Sequence, residues 1–540
     1  MELPRKFSAG ELRRDEGGWK RAYEELGEEI DNLERWEEVI QKTEGVLARI
    51  RTGHALDVAR SVFDKFLTKF PLLFGYWIKY AQLEQQYGDE ELVKTVYERA
   101  VAAFPNSIEL WVQYLDLETD RDRKRALFRR ASGLVGQDFL AHPFWDKYLE
   151  FCADDDQVEV VKVLEEIIHI PLHQYARYYE KYCELGAETP ESQETFQRTA
   201  TKTNERWQYE SRITRNYFHV VELDTDQLDN WDAYLDYMEH NAAIHETVAL
   251  YERALVPGAL YEGLWLRYAR WRNATQPHAQ EDVRNVYRRA AVMVPRARPQ
   301  VRYQWCLFEE SVGHVTLARD ILDSLGPSID TRQFSSELVA EWVVHRVGLE
   351  RRAARTKKQF TDFMEQQLKN VHDDVRLPVY AALYAWHLWK MENKAKRAYD
   401  VFQRHYNKGM DSAFFCVRFF IFSLETQPIE STHQLWERLM VDAAVPPSTL
   451  SDMAHMLMDT LKTSTEPNAM QLYLEVDREV NSPLVNRKLW KRKLNKPQAV
   501  ERRLKLENGH PGVEIAHLEV IYEKKDPFAK YYNLINGYMR

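Results

Sequence analysis

The sequence predicts an all-α fold of repeated helix pairs, and three observations lead to this prediction. Trp77, Trp111 and Trp145 lie 34 residues apart, and the same spacing separates Trp231 from Trp265. A tyrosine follows each of these five tryptophans three residues later. Glycine and proline number only 20 each in 540 residues, which favours helices joined by short connections. A fixed period of this length is typical of stacked helical hairpins that contact mainly their neighbours.

The first helix of each hairpin carries the tryptophan and the tyrosine on one face. Trp77, Tyr80, Leu83 and Glu84 follow the i, i+3, i+6 and i+7 spacing of one helical stripe, and Gly88 predicts the end of that helix. We expect these regularly spaced aromatic residues, with those of the second helices, to form the repeat core rather than a ligand cage. The predicted core residues are Trp77, Tyr80, Tyr97, Trp111, Tyr114, Trp145, Tyr148, Trp231, Tyr234, Tyr251, Trp265, Tyr268 and Tyr287.

The second helix of the hairpin carries an aromatic residue, two charged residues and an alanine. This pattern begins at Tyr97, Phe128, Tyr251 and Tyr287. We expect the aromatic residue to fill the gap between two helices and the alanine to allow their close approach. The charged pair then faces solvent or reaches a carboxylate, for which Glu84 and Glu118 are candidates.

Together these two patterns match the half-a-TPR repeat, a relative of the tetratricopeptide hairpin. The match is imperfect, because Arg302 stands where a tryptophan is expected and Trp305 where a tyrosine is expected. After residue 330 the pattern no longer defines the repeat boundaries. The predicted fold is therefore a superhelical solenoid of antiparallel helix pairs. The sequence does not predict where each repeat begins and ends after residue 330.

The period is interrupted between residues 186 and 228, where no tryptophan–tyrosine unit occurs. The interval from Glu191 to Asn216 is mostly polar and predicts one long helix, which Pro190 opens. We interpret this interval as the joint between two arrays. The predicted divisions are an N-terminal extension (1–30), an N-terminal array (31–186), a connecting long helix and linker (187–228), a C-terminal array used for dimerisation (229–480) and a basic C-terminal segment (481–540).

The composition argues against several classes of function. A formal charge of −10 disfavours a protein that coats nucleic acid through its overall field. The four cysteines form no C-x-x-C pair, so neither a zinc site nor a disulfide framework is predicted. No P-loop, GxGxxG or GxSxG motif is present. We expect no catalytic residue, cofactor, metal site or small-molecule substrate.

We also expect no association with membranes. The most apolar stretch, residues 417–424, is far shorter than the roughly 20 residues that span a bilayer. The N-terminus lacks the apolar core of a secretory signal. These features predict a protein of the cytoplasm or the nucleus.

A run of cations that contains one tryptophan lies beyond the predicted arrays. Such a segment can hold RNA phosphates and stack a base, or it can direct nuclear import. It is also compatible with a solvated terminal helix that pairs with the acidic surface of its own array. The residues of this candidate RNA or import face are Arg487, Lys488, Trp490, Lys491, Arg492, Lys493, Lys496, Arg502, Arg503 and Lys505.

The most specific stretch of the sequence lies in the interruption. It is RITRNYFHV, from Arg212 to Val220, and it resembles the joint of the pre-mRNA-processing factor 39 family. Segments on either side agree with this family in the same order along the chain, over roughly residues 35–440. These segments are Gly75–Ala81, Asp138–Phe139, Trp145–Tyr148, Ile170–Pro171 and Gly348–Arg352.

The resemblance implies a nuclear splicing factor of the U1 small nuclear ribonucleoprotein, which acts when the 5′ splice site is recognised. It implies a non-enzymatic scaffold whose N-terminal repeats approach the U1-C protein and which contacts other U1 particle proteins. It further implies that U1 RNA and pre-mRNA are contacted indirectly. The C-terminal repeats are expected to pair with a second copy of the chain or with a close paralogue.

A late apolar segment supports the expectation of a homodimer. It contains more aromatic residues than one helix face can cover, and protein interfaces are enriched in such residues. The candidate dimer interface is Phe414, Phe415, Phe419, Phe420 and Phe422. Two other functions stay open: a half-a-TPR scaffold in mRNA 3′-end or pre-rRNA processing, and a direct RNA-binding protein that uses the basic segment.

Overall fold

The protein is described by a computed structural model over most of its length. The described residues are 3–8, 10–12, 18–30, 32–154, 157–330, 334–371 and 374–481. Within these ranges every regular element is an α-helix, which confirms the all-α prediction. None of the described helices has the length and apolar character needed to cross a lipid bilayer.

The chain divides into two compact units, Met1–Ile321 and Leu322–Arg540. This boundary coincides with none of the predicted divisions, which remain predictions. Unit 1 contains Trp19–Glu28 (α1), Leu33–Ile50 (α2), Gly53–Lys69 (α3), Phe74–Tyr87 (α4), Glu90–Ala103 (α5), Ile108–Leu117 (α6), Arg121–Val135 (α7), His142–Ala153 (α8), Gln157–Ile167 (α9), Tyr175–Glu184 (α10), Pro190–Glu210 (α11), Thr225–Asn241 (α12), Ile244–Ala254 (α13), Glu262–Thr275 (α14), Gln280–Met293 (α15), Gln300–Ser311 (α16) and most of Val315–Asp323 (α17).

Unit 2 follows the same all-helical plan. Its helices are Gly326–Asp330 (α18), Ser336–Ala353 (α19), Lys357–Asn370 (α20), Leu377–Lys390 (α21), Ala395–Arg404 (α22), Tyr406–Gly409 (α23), Ala413–Thr426 (α24), Ile429–Asp442 (α25), Pro447–Thr463 (α26) and Ala469–Asn481 (α27). The central helix is α21, which packs against α19, α20, α22 and α24. Because neighbours surround it, α21 buries most of its side chains rather than one stripe.

The hairpin formed by α4 and α5 shows why the repeat folds as it does. Its turn consists of Gly88 and Asp89, and so short a turn makes the two packed helices antiparallel. A Cβ atom at Gly88 would lie 2.9 Å from the carbonyl oxygen of Glu84, so the turn requires glycine. The Asp89 side chain accepts a 2.9 Å hydrogen bond from the N–H of Leu92 and thereby caps α5.

Helix α11 begins where the sequence predicts and ends earlier. Pro190 is its first residue, and Thr189 and Ser192 form a capping box before it. The helix stops at Glu210 rather than at Asn216, which corrects the prediction. Side chains of α12 meet the carbonyls at this end: Asn230 Nδ2 donates to Tyr209 O at 3.0 Å. The backbone from 211 to 224 is irregular.

Candidate interaction scaffold

Trp77, Trp111 and Trp265 each join their hairpin to the turn that precedes it. Every predicted core residue is at most 6% exposed. The indole Nε1–H of Trp77 donates to Pro71 O at 2.9 Å, and that of Trp111 donates to Pro105 O at 2.8 Å. Trp265 makes the equivalent bond to the carbonyl six residues earlier. The bond satisfies the only polar group of a buried indole and fixes its orientation.

The second-helix aromatic residue stacks on the tyrosine of the next hairpin. Tyr97 and Tyr114 are nearly parallel, with ring centroids 5.8 Å apart, and Tyr251 and Tyr268 are stacked at 4.5 Å. Phe128 stacks in the same way on the tyrosine of its following hairpin. The gap that these aromatic residues fill therefore lies between successive hairpins as well as within one.

An acidic residue directly after the second-helix aromatic residue binds two side chains of the next hairpin. Glu252 accepts the Tyr268 hydroxyl at 3.0 Å and two guanidinium hydrogen bonds from Arg289, at 2.6 and 3.1 Å. Glu98 accepts hydrogen bonds from the Tyr114 hydroxyl and the Arg130 guanidinium in the same arrangement, both at 2.8 Å. We call this group of carboxylate, tyrosine and arginine the carboxylate clamp. It occurs at Asp64, Glu98, Glu210 and Glu252.

Each clamp keeps its tyrosine protonated and places its arginine over a tryptophan. Burial, followed by the adjacent carboxylate, raises the pKa of Tyr114 and Tyr268, so their hydroxyls remain donors. The guanidinium of each clamp also covers a repeat tryptophan. Arg130 lies 5.1 Å from the ring of Trp111. The same side chain thus contributes a salt bridge and a cation–π contact.

The carboxylates predicted to meet the charged pair have other partners. Glu84 is 2% exposed and accepts two 2.8 Å hydrogen bonds from Arg60 of the preceding second helix. Glu118 likewise meets Lys94 of its preceding second helix, at 3.4 Å. The prediction of a buried polar contact between helices is therefore right for Glu84, but its partner is wrong. The arginine of the charged pair instead enters the clamp.

The interruption of the period contains a clamp that the sequence pattern concealed. Tyr209 and Glu210 end α11, and the Tyr209 ring stacks on Tyr234 at 5.0 Å. Glu210 accepts a hydrogen bond from the Tyr234 hydroxyl at 3.0 Å and two from the Arg253 guanidinium, at 2.5 and 2.8 Å. The aromatic–acid pair was the available signal. It was missed because Arg212 stands at the position of the repeat alanine.

Buried charges surround this clamp and join three parts of unit 1. Arg253 lies 3.7 Å from Asp138, in the turn before α8. Arg206 donates to Glu246 at 2.7 Å, and Lys202 donates to it at 3.0 Å. Burial lowers the pKa of Arg253, but the Asp138 and Glu210 carboxylates outweigh it and raise that pKa. We call these paired residues of α11, α13 and the turn the joint cluster.

The arginine that replaces a repeat tryptophan performs the same bonding task. Arg302 is 6% exposed, and its Nη2 donates to Ala291 O at 2.6 Å and to Val294 O at 3.3 Å. These carbonyls belong to the C-terminal end of α15, where a cation is favourable. Burial, together with the nearby charge of Arg296, lowers the pKa of Arg302 to about 10. A guanidinium therefore replaces the indole as the donor to the turn.

The candidate dimer residues are mostly inside the protomer. Phe415, Phe419, Phe420 and Phe422 are at most 1% exposed. They pack against neighbouring helices of unit 2, as in the stacked pair of Phe419 and Phe402 at 4.8 Å. These residues do exceed one face of α24, but they need no second chain to cover them, because α21, α22 and α25 each cover part of α24. Only Phe414 remains half-buried.

The candidate RNA or import face, from Arg487 to Lys505, lies outside the described residues. Among the described residues no group of three or more His, Cys, Asp or Glu side chains is arranged to hold a metal ion. The charged groups of the clamps and of the joint cluster are mutually paired. Their arrangement holds successive hairpins together.

Comparisons with known proteins agree with this architecture. A family model described as the PRP39 N-terminal HAT repeat matches residues 20–184, and one described as the PRP39 C-terminal HAT repeat matches residues 204–352. The second match begins inside α11, upstream of the concealed clamp. The crystal structure of CSTF-77 has a TM-score of 0.50 at 12% identity, over 76% of this chain and 90% of that one. At this identity the likeness shows the fold alone.

Two curated relatives are similar over long stretches. The chain is 32% identical to pre-mRNA-processing factor 39 of Schizosaccharomyces pombe, in an alignment that covers 96% of both proteins. It is 24% identical to the U1 small nuclear ribonucleoprotein component PRP42 of Saccharomyces cerevisiae, over 44% of this chain and 54% of that protein.

Proposed function

Because the chain belongs to the pre-mRNA-processing factor 39 family, we propose that it is a splicing factor of the U1 small nuclear ribonucleoprotein. The observation that carries this proposal is the 32% identity over 96% of both chains. The relative named as a U1 particle component points to the same assembly. The protein then acts in the nucleus, at recognition of the 5′ splice site.

The repeat architecture favours a scaffold over an enzyme. Carboxylates, tyrosines and arginines of successive hairpins pair with one another in the clamps, and solenoids of this kind bind partners along extended surfaces. The proposed role is to hold proteins of the U1 particle together, with U1-C among the partners. Contacts to U1 RNA and pre-mRNA are then indirect.

Purification from nuclei tests the process in which the protein takes part. The chromosomal copy is tagged, the complexes are isolated, and the bound RNA is sequenced while the proteins are identified by mass spectrometry. U1 RNA should dominate the RNA, together with U1 particle proteins. Enrichment of pre-rRNA or of cleavage factors for mRNA 3′ ends would contradict the proposal and favour the alternative scaffolds.

We also propose that the chain pairs with a second copy, or with a paralogue, through unit 2. The support is a half-buried stripe on α21 and α24 that contains Trp386 and Phe414. The Arg418 guanidinium lies between these rings, 4.3 Å from the first and 5.0 Å from the second. The stripe replaces the interface predicted from the five phenylalanines.

Mass in solution tests this pairing. Light scattering should give twice the protomer mass at micromolar concentration, and the variant Phe414→Glu should lower it towards that of one protomer. The variant Val441→Glu changes another exposed apolar residue of unit 2, which is 57% exposed, and serves as the control. A wild-type protein that is monomeric at this concentration would contradict homodimerisation.

A further inference from the structure

The irregular segment between α11 and α12 places apolar side chains on the surface of unit 1. We call residues 215–222 the joint loop. Tyr217 is 51% exposed, Val220 is 37% exposed and Val221 is 60% exposed. Isolated exposed apolar residues are ordinary on protein surfaces, but three within five positions of one loop are not. Their exposure has no explanation in the packing of the chain.

The joint loop is held in one conformation from beneath. Phe218 is 3% exposed and is its inward-facing residue. Arg215 closes the loop, because its Nη2 donates to Val221 O at 2.9 Å and its Nη1 donates to Glu222 O at 3.5 Å. Because Phe218 belongs to the hydrophobic core of unit 1, the loop is fixed to the helices beneath it.

Bonds to α12 and α14 anchor both ends of the joint loop. The Thr214 N–H donates to Gln227 Oε1 at 3.0 Å, and Gln227 Nε2 donates to Arg212 O at 2.7 Å. At the other end, the Leu223 N–H donates to the Tyr261 hydroxyl oxygen at 2.7 Å. The exposed side chains therefore stand on a fixed base. A surface ordered in advance loses less entropy when a partner covers it.

The charges around the joint loop fit a protein partner better than RNA. Within the joint loop the formal charges of Arg215 and Glu222 cancel, and the Glu222 carboxylate also lies 3.8 Å from Arg298. Arg215 is engaged by the loop's own carbonyls. An RNA backbone would need several available cations, whereas a neutral surface with a tyrosine and two valines complements an apolar patch on a protein.

We propose that the joint loop is a docking site for a protein of the U1 particle, which covers Tyr217, Val220 and Val221 with an apolar surface. The inference rests on the proposed function, because it takes the partner from the U1 particle. Tyrosine is a frequent energetic centre of protein interfaces, since its ring is buried while its hydroxyl keeps a hydrogen bond. The two valines supply apolar area beside it.

The test measures binding of the full chain to U1 particles purified from cells that lack this protein. The double variant Tyr217→Ser/Val221→Ser should bind at least about tenfold more weakly than the wild type, because two central apolar contacts are lost. The control variant Val158→Ser/Val292→Ser changes two residues of unit 1 that are 56% and 58% exposed, and it should bind like the wild type.

A photo-crosslinking residue at position 220 identifies what covers the loop in the otherwise unchanged chain. The expected adduct contains a protein of the particle. An adduct with RNA would overturn the proposal, as would wild-type affinity of the double variant. Thermal unfolding of each variant must match that of the wild type, and Val221→Asp provides a second variant if the double variant unfolds early. Failure of the wild-type chain itself to bind the particle would instead refute the proposed function.

Discussion

The carboxylate clamp is the residue-scale device that sets the register between hairpins. One carboxylate accepts hydrogen bonds from a tyrosine on the first helix of the following hairpin and from an arginine on its second helix. Glu252 does this with Tyr268 and Arg289. The arginine also covers the tryptophan of the hairpin to which that tyrosine belongs. Three of the most regular positions in the repeat are thus connected through one group, which explains why they recur together.

The clamps differ in burial, and their contributions to stability should differ accordingly. The Glu210 side chain is 3% exposed and that of Glu98 is 43% exposed, although both have a tyrosine and an arginine as partners. Glu210→Gln should lower the free energy of unfolding by about 2 kcal/mol, because buried Arg253 loses its charge-assisted hydrogen bonds and keeps only the Asp138 carboxylate at 3.7 Å. Glu98→Gln should cost less than about 1 kcal/mol.

Urea unfolding of the two variants, followed by circular dichroism, measures this difference. The Glu98 variant is the matched control, since it removes the same kind of group from the same repeat position. Equal losses in both variants would show that burial of the clamp does not determine its strength.

Two glycines near the end of α7 should respond oppositely to alanine. A Cβ atom at Gly136 would lie 2.7 Å from the Trp145 ring and 2.4 Å from the Ser132 carbonyl oxygen, whereas one at Gly133 meets nothing within 4 Å. Gly136→Ala should destabilise the protein by about 1–3 kcal/mol through overpacking. Gly133→Ala should stabilise it by up to about 1 kcal/mol, because alanine favours the helix.

Thermal unfolding of the two alanine variants tests the packing of Trp145. The midpoint should fall for Gly136→Ala and stay level or rise for Gly133→Ala. A Gly136→Ala variant as stable as the wild type would mean that the tryptophan is not held as described.

At this scale the sequence predicts which residues are buried better than which residues meet. The 34-residue period identified the tryptophans and tyrosines, and all of them are buried. The partner of Glu84 could not be predicted, because spacing within a hairpin carries no information on how the preceding hairpin is placed. Arg302 shows a further limit, since a guanidinium that donates to the end of the preceding helix can stand at the position of a repeat tryptophan.

At the scale of elements, α11 combines two roles. It lies in the interruption of the period, and it acts as the second helix of a concealed hairpin. Its polar composition predicted a long helix, and Pro190 marked its beginning. Its end at Glu210 depends on side chains of α12, which are remote in sequence and invisible to a local pattern. The burial of α24 was missed for the same reason: the helices that cover it are set by the tertiary fold.

The capping box of α11 gives an element-scale prediction. Thr189 accepts the Ser192 N–H at 3.1 Å, and Ser192 accepts the Thr189 N–H at 2.9 Å. Thr189→Ala should cost about 1 kcal/mol and speed amide exchange in the first turn of α11. Thr201→Ala, which changes an exposed threonine in the same helix, is the control. Unchanged exchange at the first turn in the Thr189 variant would contradict the assigned role of the cap.

At the scale of the whole molecule, each unit uses its polar groups to connect its own helices. Within unit 1 the joint cluster links α11, α13 and the turn before α8 through paired charges. Such pairing fixes the positions of these helices and therefore the surface that they form. The family membership and this architecture together support a protein that assembles others.

We propose that the chain joins the U1 particle through protein surfaces rather than by binding RNA directly. The most direct measurement compares the affinity of the full chain for U1 particles lacking it with its affinity for naked U1 RNA, over a series of salt concentrations. We expect tight binding to the particle, weak binding to the RNA and a shallow dependence of the particle affinity on salt. Equal affinity for naked U1 RNA, falling steeply with salt, would contradict it.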